Sequence, residues 1–278
     1  MQKITKNSIS VAADHRAIGQ HLGLFFFDAS SPGSAFFLDN GMRIVDKLKS
    51  VLKFHQPQMK LVSTPTLFDT RLWSQSGHWQ NYKENIFILE TDHPDQSEKS
   101  TFAIKPMNCP AHCLIFKRET RSYRDLPLRL QEFDALHRNE ASGALSGLVR
   151  VKKFHQDDGH IFCTRSQIYD EIKSTLEVIH TLYKNVFKFK EYSLALSTRP
   201  TDHLGTVQDY EGAQEILSNV LKDSGRDFFI KEGDGAFYGP KIDIQVTDSI
   251  GRNHQLATIQ LDFQLPERFD LEYVGTIL

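Results

Sequence analysis

Four segments of the chain repeat apolar residues at the three- and four-residue spacing of an amphipathic helix. Thr164 and Gln167 form a capping-box pattern ahead of one of them, and Gly225 is placed to end another. The spacing predicts helices over residues 42–54, from near Pro110 onward, over 168–186 and over 209–224.

Shorter apolar or alternating runs between these helices indicate strands. A loop of small residues between 140 and 149 favours a long hairpin, a second hairpin is predicted to turn at 248–253, and the polar residues 91–100 predict a surface loop. Hairpins mixed with helices favour an α+β fold, an antiparallel β-sheet flanked by helices, in one domain. The predicted strands are 36–38, 59–63, 87–90, 101–105, 128–140, 149–162, 191–197, 228–231, 241–248 and 254–265.

The predicted strand 149–162 carries an unusual set of polar side chains. Since strand side chains alternate between faces, its even positions share one face, and two cations, an aromatic ring, an amide, a carboxylate and an imidazole would lie together. On the partner strand Arg138 and Glu140 share a face, so the hairpin could present two arginines to phosphate oxygens. The alternative is a solvated hairpin with incidental ion pairs, Arg138 with Glu140 or Arg150 with Asp158. The even positions are Arg150, Lys152, Phe154, Gln156, Asp158 and His160.

The placement of a cysteine and a histidine allows metal binding as a second kind of chemistry. Cys109 precedes a predicted helix and His160 ends the polar strand face, and zinc accepts both ligand types. The alternative is that Cys109 packs inertly and His160 only forms a hydrogen bond. Cys113 and Cys163 neighbour apolar residues and are predicted to be buried as small hydrophobic side chains.

Composition narrows the class of protein. The 278 residues are 40% hydrophobic and 24% charged with a net charge of −2, which is typical of a globular protein without a strong overall attraction to nucleic acid or membrane. Three cysteines make a secreted disulfide framework improbable and favour a reducing compartment. No apolar run approaches the ~18 residues of a membrane span. Residues 1–13 contain two lysines and no acid, which is compatible with the remnant of a mitochondrial presequence.

Several strings in the chain resemble the threonyl-tRNA synthetases, a family of class II aminoacyl-tRNA synthetases. Arg138-x-Glu140, a loop, Arg150 and Phe154 resemble motif 2 of class II, and longer strings follow in the order of the family over about residues 14–275. The resemblance is nearest to the short mitochondrial form and implies the class II antiparallel sheet over residues 14–278. The strings are Asp14-His-Arg-Ala-Ile-Gly19, Ser76-Gly-His-Trp79, Lys105-Pro-Met-Asn-Cys-Pro110, His137-Arg-Asn-Glu140, Phe154-His-Gln-Asp-Asp-Gly-His160, Gly235-Ala-Phe-Tyr-Gly-Pro-Lys241 and Ile259-Gln-Leu-Asp-Phe263.

The resemblance implies a threonine–tRNA ligase, which forms threonyl-adenylate from threonine and ATP and transfers the threonyl group to tRNA(Thr). It assigns Arg138 to the α-phosphate of ATP, where negative charge develops. Glu140 would accept the adenine amino group, Phe154 would stack on the base, and Arg150 would bind the outer phosphates with Mg²⁺. Gln255 would also bind ATP, and the loop 141–148 would approach the acceptor end of the tRNA.

The same resemblance implies a zinc ion that recognises threonine, with Cys109 and His160 as two of three protein ligands. An apolar pocket separates isosteres such as threonine and valine by only ~10²-fold, whereas a metal that binds the hydroxyl makes it obligatory. Asp158 would hold the threonine amine and hydroxyl region. The remaining threonine-binding positions implied are Gln156, Tyr238, Lys241 and Gln260.

Pro65 resembles the proline of motif 1, which implies a homodimer. Motif 3, with the third zinc ligand, and the anticodon-binding domain are expected to be absent from residues 1–278, as is an N-terminal editing domain, so an active form should misactivate serine. The implied location is the mitochondrial matrix, with the cytoplasm as the alternative. Two other functions stay open: an inactive synthetase-derived binding or dimerisation module, and an unrelated zinc hydrolase using Gln156 to His160.

Overall fold

The structure is a computed structural model that describes residues 14–91, 100–248 and 251–275. The presequence prediction for residues 1–13 and nearly all of the predicted loop 91–100 lie outside these ranges. The chain divides into two compact units. The first unit comprises Met1–Pro57, Leu61–Asn108 and Gln131–Asp158, and the second comprises Gln58–Lys60, Cys109–Leu130 and Gly159–Leu278.

The four helices predicted from apolar spacing are present with shifted ends, and short helices add to them. Within the described ranges, no helix has the length and apolar content needed to cross a membrane. The helices are α1 (His15–His21), α2 (Asp39–His55), α3 (Arg71–Gln75), α4 (His78–Tyr82), α5 (Cys109–Lys117), α6 (Ile168–His180), α7 (Val207–Asp223) and α8 (Gln264–Arg268).

Local capping marks the start of the two longest helices of the second unit and the end of α7. The Thr164–Gln167 capping box predicted from sequence is confirmed and precedes α6, which continues as a π-helix over Thr181–Val186. The Thr206 hydroxyl accepts the Asp209 backbone N–H at 3.1 Å at the start of α7. Gly225, with φ of +64°, follows the end of α7, a conformation that favours glycine.

The strands are short, and most predicted runs contain one. In chain order they are β1 (Phe25–Phe27), β2 (Ala35–Phe37), β3 (Lys60–Leu61), β4 (Leu67–Asp69), β5 (Phe87–Thr91), β6 (Ser100–Ile104), β7 (Arg121–Ser122), β8 (Leu128–Glu132), β9 (Ala135–His137), β10 (Lys153–His155), β11 (Asp158–Phe162), β12 (Tyr192–Ser197), β13 (Phe228–Lys231), β14 (Lys241–Thr247), β15 (Asn253–Gln260) and β16 (Tyr273–Val274).

Antiparallel pairing dominates the sheets. In the first unit β1 pairs with β2, β9 with β10, and β6 lies between β4 and β5, all antiparallel. In the second unit the order is β13-β12-β14-β15, where only the β12–β13 pair is parallel, and β7 pairs parallel with β16. A further sheet has the order β11-β8-β3, and most of its residues belong to the second unit. The predicted α+β class is therefore confirmed.

The prediction of one long hairpin over 128–140 and 149–162 is wrong in its detail. Each predicted strand is two strands: β9 pairs with β10, whereas β8 and β11 are neighbours in another sheet. The second break falls at Asp157, whose carboxylate accepts the side-chain amides of Gln56 and Gln131, both at 2.6 Å. Arg150 through His160 therefore do not share one face of one strand. 

The predicted strand 254–265 ends early, at Gln260, and α8 follows. The Asp262 carboxylate accepts the backbone N–H groups of Gln264 at 2.7 Å and Leu265 at 3.1 Å, so it caps the first turn of α8. Burial raises the pKa of Asp262 to about 6. The capping carboxylate, rather than the apolar pattern, decides the end of the strand.

Each unit has its own apolar core. In the second unit α6 and α7 contribute Leu176 and Leu217, and the facing strands contribute Leu194, Ile242 and Ile244, all at most 1% exposed. Leu194 lies opposite Ile244 across the β12–β14 pair. Each such buried side chain contributes about 1.5–3 kcal/mol from the removal of apolar surface from water. In the first unit the core contains Trp73, Ile86 and Ala103, with Phe68 and Trp79 packed against it.

A fully buried ion pair connects three segments of the first unit. Lys105 and Glu132 are both 0% exposed, with the Lys105 Nζ 2.6 Å from the Glu132 Oε1. Thr64 donates its backbone N–H and its hydroxyl to the Glu132 carboxylate, at 2.9 and 3.0 Å. The Lys105 ammonium also donates to the Thr64 carbonyl at 3.3 Å. Buried charges of this kind are tolerated because each is paired and hydrogen-bonded.

Removing one charge of this pair should destabilise the chain strongly. Lys105→Met or Glu132→Gln leaves the remaining group buried without the charge that it faces. We expect each substitution to lower the free energy of unfolding by about 3–5 kcal/mol in urea denaturation. Arg43→Ala is the control, because it breaks the exposed Asp39–Arg43 pair (3.0 Å) and should cost about 0–1 kcal/mol. Equal effects for the buried and exposed pairs would contradict this account.

Candidate functional site

The β9–β10 pair places the arginine and the aromatic ring of the motif 2 pattern against each other. Arg138 follows β9 and donates its backbone N–H to the Lys152 carbonyl at 2.9 Å, while Phe154 lies on β10 opposite Leu136. The Arg138 guanidinium carbon lies 4.9 Å from the centre of the Phe154 ring, a cation–π distance, and its Nε donates to the Pro106 carbonyl at 3.3 Å. The residue predicted to bind phosphate and the residue predicted to stack on the base are therefore in contact.

Tyr82 belongs to this cluster and was missed by sequence reasoning. Its ring centre lies 5.8 Å from the guanidinium carbon of Arg138. Burial raises the pKa of Tyr82, Glu140 also raises it, and Arg138 and Arg150 oppose the shift. The only signal in the sequence was its position three residues after the string that ends at Trp79.

Glu140 and Arg150 form the ion pair on the exposed side of the cluster. The Arg150 Nε lies 3.7 Å from the Glu140 carboxylate, and the Arg150 side chain is 58% exposed against 19% for that of Glu140. Neither ion pair that the solvated-hairpin alternative named, Arg138 with Glu140 or Arg150 with Asp158, is the one observed here. With Arg138, the cluster offers two guanidinium groups able to bind phosphate oxygens in pairs of parallel hydrogen bonds.

Asn108 is a second residue that sequence reasoning missed. It is 1% exposed, and its Nδ2 donates to the Asp158 Oδ2 at 2.9 Å. Its Oδ1 is buried and has no hydrogen-bond partner among the residues that the structure describes. The position inside a matched string was its signal. Gln156, predicted beside Asp158, is exposed at the break between β10 and β11.

In the second unit a pair of imidazoles lies beside α5. Cys109 is the first residue of α5, and His112 follows one turn later, fully buried. The His112 Nδ1 lies 2.8 Å from the Nδ1 of His160 on β11, with the two rings nearly perpendicular. His112 was not among the predicted residues. A contact of this type orients an imidazole, as hydrogen bonds do for histidines that bind metals.

The described residues contain no group of three or more histidine, cysteine, aspartate or glutamate side chains arranged to hold a metal ion. The predicted pair Cys109 and His160 offers sulfur and nitrogen, the donor types that zinc prefers. The donor atoms of this pair therefore suit zinc. A zinc site with three protein ligands would need one more ligand. Cys113 is a less suitable ligand, since burial raises its pKa to about 12 and disfavours the thiolate. Cys163 is half-buried, and its pKa is raised by burial to about 11.

The predicted threonine-binding residues of the second unit lie on or near β14 and β15. The Tyr238 hydroxyl donates to the Gln260 Oε1 at 2.7 Å, and Lys241 lies opposite Gln260 across the strand pair. The Lys241 Nζ donates at 2.9 Å to Asp243, a carboxylate that is 0% exposed. These three predicted residues are therefore brought together.

Gln255, predicted to bind ATP, lies on β15 and is connected to Asp243 through Thr258. Its Nε2 donates to the Thr258 Oγ1 at 2.6 Å, and Thr258 donates to Asp243 at 3.1 Å. The Ser197 hydroxyl also donates to Asp243, at 2.9 Å. The buried Asp243 carboxylate thus organises both a cation and two hydroxyl groups on this face of the sheet.

The two sets of residues support different chemistry. The Arg138 cluster of the first unit offers guanidinium donors, an aromatic face and a carboxylate acceptor, which suit a nucleotide. The β14–β15 set of the second unit offers an ammonium, a phenol and amide groups, which suit a small polar ligand.

Comparison with known proteins identifies the family. The family of tRNA synthetase class II core domains (G, H, P, S and T) matches residues 87–276. A probable cytoplasmic threonine–tRNA ligase of Encephalitozoon cuniculi is 53% identical over 94% of this chain and 39% of its own length. The mitochondrial threonine–tRNA ligase of Saccharomyces cerevisiae is 48% identical over 98% of this chain and 61% of its own length.

Solved structures agree with this assignment. A structure described as the RNA binding domain of threonyl-tRNA synthetase from Cryptosporidium parvum superposes with a TM-score of 0.88 and 47% identity, covering 95% of this chain and 64% of that one. The chain thus spans between about two fifths and two thirds of the length of these relatives. The resemblance inferred from the sequence strings is confirmed, and the chain belongs to the family of class II tRNA synthetase core domains.

Proposed function

We propose that the chain provides the catalytic core of a threonine–tRNA ligase. The observation that carries this proposal is the contact of Arg138 with Phe154 at the β9–β10 pair, in a chain about half identical to named threonine–tRNA ligases. In the first step the threonine carboxylate attacks the α-phosphate of ATP, which forms threonyl-adenylate and releases pyrophosphate. In the second step the threonyl group moves to the 3′ end of tRNA(Thr).

In the first unit the proposed task is to bind and polarise ATP. Arg138 would hold the α-phosphate, where it stabilises charge as the carboxylate attacks. Adenine would lie on Phe154 after the guanidinium moves from the ring face, and Glu140 would accept its amino group. Arg150, whose side chain is 58% exposed, would bind the outer phosphates with Mg²⁺. The loop 141–148 would contact the tRNA acceptor end.

The family resemblance assigns five residues to the binding of threonine. Asp158, oriented by Asn108, would accept the threonine amine, with Gln156 nearby. Tyr238, Lys241 and Gln260 would add polar contacts from β14 and its neighbours, and Gln255 would contact ATP.

Zinc is part of this proposal through Cys109 and His160. When bound, zinc would supply a Lewis-acidic position that requires a hydroxyl on the amino acid, and so separate threonine from valine. The chain's own contribution is the His112–His160 contact, which sets the orientation of one ligand. The third ligand would come from outside the described residues.

No observation favours the inactive binding module or the hydrolase over the ligase. The relatives include both mitochondrial and cytoplasmic threonine–tRNA ligases. We propose the mitochondrial matrix as the location, on the lysine-containing stretch at residues 1–13.

We also propose that the chain forms a homodimer through α2 and the segment that leads to Pro65. Ile44 and Leu48 lie one turn apart on α2 and are 48% and 42% exposed, while Phe54 is 79% exposed. Leu61 on β3, close to Pro65 in the chain, is 56% exposed. An exposed apolar set of this kind indicates a protein contact, and motif 1 assigns it to a second copy.

Threonine-dependent exchange of pyrophosphate into ATP tests the ligase proposal. We expect exchange with threonine and with serine, background exchange with valine, and loss of exchange after chelation of zinc. Arg138→Ala should lower the rate by ~10²–10³-fold, as for loss of one preorganised donor. Arg124→Ala, at an exposed arginine, serves as the control and should retain the rate.

Absence of exchange with threonine in a folded chain would favour the binding module. Exchange with threonine but none with serine would refute the prediction of serine misactivation and leave the ligase proposal standing. Exchange that survives chelation would remove zinc from the proposal.

The hydrogen bond from Asn108 to Asp158 yields a separate prediction. Asn108→Ala removes the donor that orients the carboxylate, so the KM for threonine should rise about tenfold, equivalent to about 1.4 kcal/mol, with little change in the KM for ATP. Asn81→Ala, which removes an amide bond to the Gly77 carbonyl at 2.9 Å, is the matched control. An unchanged threonine KM in Asn108→Ala would show that the amide does not position Asp158.

The dimer prediction is tested by a charge on the apolar face. Leu48→Glu and Phe54→Glu should shift the sedimentation of the chain from dimer to monomer, because an unpaired carboxylate in an apolar interface is not solvated. Lys47→Ala, at an exposed position of α2, should leave the dimer intact. A wild-type chain that sediments as a monomer at all concentrations would refute the interface.

A further inference from the structure

Helix α1 contacts the turn that carries Arg150, and neither the sequence nor the proposed function accounts for this contact. The Nε2 of His15 accepts the backbone N–H of Leu148 at 2.9 Å. The two residues are 133 positions apart in the chain. His15 is thus the only side chain of the string Asp14 to Gly19 with a described hydrogen bond to this turn.

The turn itself is a tight backbone loop closed at Ser146 and Arg150. Ser146 donates its N–H to the Arg150 carbonyl at 3.0 Å, and Arg150 donates back at 3.2 Å. At the tip, Gly147 has φ of +48°, a conformation that side chains rarely adopt. A Cβ on Gly147 would lie 2.2 Å from the His15 Nε2, so the imidazole approaches the tip only because glycine is there.

Asp14, the residue before His15, caps α1 and lies close to the imidazole. The Asp14 carboxylate caps α1 by accepting the Arg16 backbone N–H at 2.9 Å. The Asp14 Oδ1 lies 3.5 Å from the His15 Nδ1, which favours the tautomer with the proton on Nδ1 and leaves Nε2 as the acceptor. Gly19, further along α1, lets the Phe25 ring pack where a Cβ would lie 2.3 Å from it.

We propose that His15 is a positioning residue for Arg150. It holds the tip of the Ser146–Arg150 turn through the Leu148 N–H and so fixes the backbone from which the Arg150 guanidinium extends toward Glu140, without touching either side chain. The inference rests on the proposed role of Arg150 with the outer phosphates of ATP. The ligand class concerned is therefore the polyphosphate of a nucleotide.

A second anchor leaves the base of the turn in place when the first is removed. Lys152 donates its N–H to the Gly33 carbonyl at 2.6 Å, and Gly33 lies against the side chains of Lys152 and Leu145. Loss of His15 should therefore loosen the tip of the turn and not unfold the loop. This distinguishes positioning from a general stabilising role.

Amide hydrogen exchange tests the anchor directly. In His15→Ala, exchange of peptides covering residues 146–150 should become roughly 2- to 12-fold faster, the range for loss of one hydrogen bond. His21→Ala, at the other end of α1, is the matched control and should leave this exchange unchanged. His15→Gln places an acceptor oxygen near the position of Nε2 and should restore part of the protection.

Pyrophosphate exchange tests the consequence for ATP. The KM for ATP should rise in His15→Ala by a factor in the same range, while the KM for threonine stays unchanged, and His15→Gln should recover part of the loss. If the wild-type chain does not catalyse exchange, the Kd for Mg·ATP is measured on the same variants with the same expectation. Absence of exchange in the wild-type chain would count against the ligase proposal and not against the role of His15.

Three results would overturn the inference. Unchanged amide exchange at 146–150 in His15→Ala would show that His15 does not hold the turn. Faster amide exchange with an unchanged KM or Kd for ATP would show that the held turn does not position Arg150. An equal rise in the KM values for ATP and threonine would indicate general damage and would also overturn it.

Discussion

The buried Lys105–Glu132 ion pair is the constraint on which the first unit depends. Two opposite charges removed from water are costly unless they are held at close range with their remaining hydrogen bonds satisfied. Here they are 2.6 Å apart, and Thr64 completes the shell of Glu132. The backbone around Lys105 is fixed as a result: its carbonyl accepts the His137 N–H at 3.0 Å.

Arg138 takes its place from this framework. It follows His137 in the chain, and its Nε donates to the carbonyl of Pro106, the residue after Lys105. The guanidinium therefore lies over Phe154 with its position set from two sides, by a strand pair and by the segment beside the buried lysine. The backbone of Arg138 is thus fixed before ATP binds, and the proposed stacking of adenine on Phe154 requires only the guanidinium to move from the ring face.

The second unit uses the same device. Asp243, fully buried, holds Lys241 at 2.9 Å and also accepts Ser197 and Thr258 hydroxyls. In both units, a carboxylate without access to water determines where a lysine lies. Lys105 lies next to residues of the proposed sites, and Lys241 is itself a proposed threonine-binding residue. Networks of this type rigidify their surroundings when every member is satisfied.

Sequence reasoning succeeded where a local pattern has a local cause. The apolar spacing along α6 and α7 and the capping box at Thr164 depend on neighbours three and four residues away, so they can be read directly. The hairpin over 128–162 failed because its break depends on Gln56 and Gln131, which reach Asp157 from other parts of the chain. Tyr82, Asn108 and His112 were missed for the same reason.

The sequence by itself determined the fold class, the family and the residue types available for nucleotide chemistry, because these are properties of order and spacing along the chain. The tertiary structure decided which of those residues touch. The contact of Arg138 with Phe154, the orientation of Asp158 by Asn108 and the hold of His15 on Leu148 each join positions between 16 and 133 residues apart. Such contacts are made by strand pairing and burial, which act through space and leave no period in the sequence.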